Sequence, residues 1–124
     1  PDVGADQHAG VYVQELKADA AIERMVNVLR FFQQRKGMYV LPLTVDSVVN
    51  FLNGFQAACR VFGVEELPDA RGRVYKQRKW KCGAAALPIT EMRKKGWTDE
   101  QIMDELIEIN IALLRAHSER GVTK

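Results

Sequence analysis

The chain reads as an all-α domain, a bundle-like set of four main helices with a short fifth piece. Three observations predict this. Apolar residues recur at steps of three and four in long segments. Glycines and capping residues stand between those segments, where helices stop and start. A capping box opens the last segment. At 124 residues, with 47% hydrophobic and 27% charged content, the chain is one domain's length and ordinary in composition for a globular protein.

Residues 1–9 are small and polar and read as a flexible tail, which leaves 10–124 as a single helical domain. The first helix is expected at about 15–36. Ala18, Ala21, Met25, Val28 and Phe32 form one apolar row, flanked by Ile22 and Leu29, and Gly37 stands where a left-handed C-cap would. MYVLPL (38–43) contains Pro42 and reads as an extended connection. Thr44 is the expected N-cap of a second helix at about 45–62.

Val45, Val48, Leu52, Phe55, Cys59 and Phe62 give that second helix a strict 3,4 stripe. Such a stripe suits a helix at the centre of a bundle or one shared between two subunits. Gly54 interrupts it at a cost of about 1 kcal/mol against alanine. Close approach of another backbone compensates, or the glycine is simply tolerated. Gly63 ends the helix.

A third helix is expected at about 73–87. Its second half, CGAAA (82–86), offers a small-residue patch to a partner helix, and the row Trp80, Ala84, Leu87 places Trp80 in the core. Pro88 breaks it, and a short piece near 88–95 ends at Gly96. The last helix, about 98–118, has Thr98 as N-cap, Gln101 closing the capping box, and Trp97 set to staple onto Ile102. Ile102, Leu106, Ile109 and Leu113 form its stripe, widened by Met103, Ile107 and Leu114. The run MRKKGWTDEQIMDEL resembles the opening of a helix-turn-helix unit, but no breaker separates Leu106 from Asn110, so one continuous helix is expected.

No catalytic constellation stands out, so the chain reads as non-enzymatic, with no cofactor and no metal. His8 and His117 lack a nucleophile pattern, and Cys59 and Cys82 lack the short paired spacings of zinc ligands. His117 is expected in the last helical turn. Glu100, Asp104 and Glu108 line one side of the last helix, but the second helix offers only Asp46 opposite, so they read as an exposed acidic stripe. There is no glycine-rich phosphate loop. Free thiols, no apolar run near the length of a membrane span and no signal-peptide pattern suggest a cytoplasmic protein off the membrane.

The charge is segregated. From position 71 to 95, nine basic residues stand against Glu91, a net of +8 that leaves −6 on the rest of a chain whose total is +2. RGRVYKQRKWK (71–81) supplies Arg71, Arg73, Lys76, Arg78, Lys79 and Lys81, and Arg93, Lys94 and Lys95 extend the set. These nine are the candidate contacts for phosphates of nucleic acid, with Tyr75 and Trp80 as candidate stacking groups. The bland reading has the same charges solvated or paired with Glu65, Glu66, Asp69 or the acids of 98–108. Three functions follow. The first is nucleic-acid binding. The second is a protein-interaction or assembly module, a homo-oligomer with a dimer favoured, whose basic face meets an acidic protein. The third is a small apolar ligand enclosed by the bundle.

Overall fold

The structure is a computed structural model that describes the backbone of residues 3–119 and the side chains of 17–118. It contains five α-helices: α1 (Val3–Gln34), α2 (Val45–Val61), α3 (Ala70–Gln77), α4 (Ile89–Lys94) and α5 (Asp99–Glu119), with a 3-10 turn at Lys36–Met38. Among the described residues there is no strand, and the all-α bundle class holds.

Helix α5 is the hub. It is buried on nearly every side, through Ile102, Met103, Leu106, Ile107, Ile109, Ile111, Leu113 and Leu114. A helix that buries apolar side chains over so wide an arc needs neighbours on several sides. Helices α1, α2 and α3 each pack against α5. The α1–α5 pair is antiparallel: Lys36, in the 3-10 turn just past the end of α1, meets Glu100 and Asp104, and Glu23 meets Arg115. This corrects the expectation that α2 could be the central helix. Its single stripe, buried at Val45, Val48, Leu52 and Cys59, is that of a peripheral helix.

The termini of α2 and α5 follow their expected caps. Thr44 Oγ1 accepts from the Ser47 N–H at 3.0 Å. Thr98 and Gln101 exchange both hydrogen bonds of a capping box, at 2.8 and 3.2 Å. α5 is continuous, without a helix-turn-helix break.

Three elements differ from expectation. α1 begins at Val3, so helical backbone covers most of the stretch read as a tail. The side chains of 1–16, His8 among them, lie outside the described residues. Its core row is Ile22, Val26, Leu29 and Phe32, while Val28 is exposed. Gly37 sits inside the 3-10 turn rather than at a left-handed cap.

The third helix stops at Gln77 rather than continuing to 87. The Lys79 N–H bonds to the Lys76 carbonyl at 3.1 Å and the Trp80 N–H to the Tyr75 carbonyl at 2.8 Å, with Lys79 at φ 68. That is a Schellman stop with lysine in the usual glycine position. Gly63 and Gly96 close α2 and α4 with the same pair of bonds, at φ 84 and 81. Residues 82–86 are therefore an exposed turn, and the helical small-residue patch does not form.

Candidate functional site

The basic segment divides into residues the fold has used and residues it has not. Arg71 forks onto Glu66, at 2.6 and 3.2 Å, and donates to the Tyr75 hydroxyl at 3.2 Å. Burial works against its charge, but those partners more than offset this and raise its pKa. Arg78 forks onto Glu105 at 2.6 and 2.7 Å, which raises its pKa. Arg93 pairs with Asp99 at 2.9 Å. These three arginines realise the reading in which the charges are internally paired.

The candidate stacking groups are also taken. Tyr75 is 1% and Trp80 6% exposed. The Trp80 indole N–H donates to Glu105 Oε2 at 2.8 Å, and its ring stands edge-on to Trp97 at 5.2 Å. The Tyr75 hydroxyl donates to the Ala86 carbonyl at 2.7 Å and ties down the 82–86 turn. Burial raises its pKa. Neither ring presents a face to an unpaired base, which corrects the stacking expectation. Trp80 is core as predicted, but through the Schellman stop and not through a helical row, since Leu87 is exposed.

What is left is a set of exposed cations with no acidic partner among the described residues: Arg73, Lys76, Lys79, Lys81 and Lys94. Lys95 lies over the Trp80 ring at 4.8 Å from its centroid. The Lys81 backbone N–H donates to both oxygens of Glu91, at 2.9 and 3.0 Å, which ties the 79–81 turn to α4. Through that tie and the Lys95–Trp80 contact, Lys79 and Lys81 share one corner of the fold with Lys94 and Lys95. Arg73 stands apart, on a groove between α3 and α5 with Arg115.

The acids Glu100, Asp104 and Glu108 of α5 keep part of their surface in solvent, as an exposed stripe would, but each is also paired across a helix seam. Glu100 and Asp104 hold the buried Lys36 ammonium at 2.9 and 2.7 Å. Burial opposes the Lys36 charge, but these two carboxylates outweigh it and raise its pKa. Glu108 accepts from Arg30 and from Gln33. Burial pushes the Glu108 carboxyl up, yet the Arg30 and Gln33 hydrogen bonds prevail and hold it below the ordinary range. Lys36, Arg30 and Gln33 escaped the sequence reading because their partners are far along the chain. The local signal for Gln33 and Lys36 is the polar run QQRK (33–36) that follows Phe31 and Phe32.

A separate cleft of about 330 Å³ lies between α2 and α5, lined by Phe55, Cys59, Leu113 and Leu114. Gln56 donates to Asn110 on its wall, and His117 Nε2–H donates to the Glu65 carbonyl at 2.6 Å at its rim. Burial raises the Cys59 thiol pKa, so it is a poor nucleophile. Among the described residues, no three His, Cys, Asp or Glu side chains gather as metal ligands, and no helix is long and apolar enough to cross a membrane.

No protein-family model, curated protein or solved structure matches this chain.

Proposed function

We propose that this protein is a non-enzymatic helical module that contacts nucleic-acid phosphates through the corner formed by Lys79, Lys81, Lys94 and Lys95, with Lys76 in the last turn of α3 just before it. The observation that carries this reading is the sorting of the charges. Arg71 and Arg78 are paired with carboxylates at the seams of the fold and Arg93 pairs with Asp99 at the surface, while the lysines from two adjacent segments stay exposed without an acidic partner among the described residues. Flexible lysines suit phosphate contacts, which position a nucleic acid without reading its bases. The burial of Tyr75 and Trp80 points to binding with little sequence preference.

The experiment is binding of labelled single- and double-stranded DNA and RNA across a salt series. The expected result is an affinity that falls with salt at a log–log slope of about −0.7 to −0.9 per phosphate contacted. Absence of binding at low salt contradicts the reading.

A second reading, a homodimeric assembly module, is favoured by large apolar side chains left exposed, Leu41, Val61 and Phe62 among them. The two readings are compatible. The free thiols Cys59 and Cys82 fit a cytoplasmic setting. The cleft falls within the size range of ligand pockets, but its polar wall and rim fit an apolar ligand poorly.

A further inference from the structure

We infer that the outer face of α2 is a two-fold homodimer contact in which a second copy packs antiparallel across Asn53 and Gly54. The inference rests on the dimeric reading and is independent of phosphate binding.

The inner face of α2 is spent on the core, and its outer face has no cover among the described residues. Asp46, Asn50, Asn53, Gly54, Ala57 and Val61 are all exposed. At 100° per residue, Asn50, Gly54, Ala57 and Val61 lie within one arc opposite the buried stripe. Between 45 and 61 only two residues are charged, Asp46 and Arg60. They carry opposite signs, stand near opposite ends of the helix, and lie on the same flank of the outer face.

That arrangement is self-complementary. A two-fold axis perpendicular to an antiparallel helix pair keeps each flank on its own side and reverses direction along the axis. With the axis at position 53, Asp46 meets Arg60 of the partner subunit, and the reciprocal pair forms by symmetry. The same register sets Asn50 beside the partner's Ala57. It also brings Val61 and Phe62, 82% and 78% exposed, over the partner's segment just before α2, where Leu41 is 84% exposed and Leu43 is also exposed. Charge and apolar surface thus point independently to one register.

Gly54 fits the same place. A Cβ there meets nothing within 4 Å, and its φ is helical, so neither packing nor backbone within one chain requires glycine. Its position beside the axis is where two helix backbones come closest.

Sedimentation equilibrium on the full chain and on D46R, R60D, the double variant D46R/R60D and V61E tests this, with circular dichroism as the folding control. Wild type is expected to dimerise. Each single charge reversal raises the dimer Kd by about tenfold, since two symmetric pairs turn repulsive, and the double variant returns to within about twofold of wild type. V61E weakens the dimer by about 100-fold or more. A wild-type dimer that ignores V61E, or singles that the double variant does not rescue, overturns the α2 face and leaves the dimeric reading standing. A wild type that stays monomeric up to about 1 mM overturns both.

Discussion

Along α5, Glu100, Asp104, Glu105 and Glu108 each face a cation from another element, whereas along 76–81 Lys76, Lys79 and Lys81 face no acid among the described residues. The difference follows from position. α5 is the hub, so its polar residues lie at seams with α1 and α3 and are drawn into pairs as those helices dock. The basic segment ends a short peripheral helix and turns outward through a Schellman stop. Only the residues that point back, Arg71 and Arg78, find carboxylates. Charge at a seam becomes part of the fold, and charge at a corner stays available to a partner.

Glu105 is the seam residue with the most to lose. Its carboxylate accepts two bonds from Arg78 and one from the buried Trp80 indole. Glu105→Ala is expected to destabilise the protein by about 2–3 kcal/mol, because the buried indole N–H loses its carboxylate partner while Arg78 regains some water. Urea denaturation measures it.

Lys36→Ala should cost about 2 kcal/mol, since it leaves an enclosed oxygen of Asp104 without its ammonium. The Lys36 pKa is raised, so its contribution is complete below the ordinary lysine value of 10.5 and is lost as pH rises through the higher folded value. The difference between wild type and variant, followed in urea melts at rising pH, should shrink only in strong alkali.

Lys79→Gly acts in the other direction. Relief of a left-handed lysine should stabilise the fold by about 1 kcal/mol, read as a higher Tm. The smallest effect is at Glu108, whose pair with Arg30 is partly exposed. Glu108→Gln should cost about 0.5 kcal/mol at pH 7. Its folded pKa lies below 4.5, so that stability is present above this value and fades as pH falls through the lowered one. Melts at neutral and acid pH should show the gap closing.

Local chemistry carried much of the fold into the sequence. Thr44, Gly63, Gly96 and the Thr98–Gln101 box each mark a terminus by a side chain or backbone property that acts within a few residues. The end of α3 was hidden because its left-handed position holds Lys79, which carries none of glycine's signal. The core row of α1 was misplaced because that helix is apolar over a broad arc, and only docking on α5 decides which part is covered. The candidate contacts were legible as a charge run. Which of them are free was not, because Arg78 and Glu105 are brought together by packing and Lys36 and Glu100 stand 64 positions apart.

Two variants, followed for DNA binding and thermal stability together, separate free from paired charge. One is Lys76, Lys79, Lys81 and Lys94 changed to Ala, and the other is Arg78→Ala. The four-lysine variant is expected to lose salt-dependent binding and keep its Tm, while Arg78→Ala loses Tm and, below its melting range, still binds. A four-lysine variant that binds DNA as wild type does, with the same salt slope, would contradict the phosphate-contacting role of these lysines.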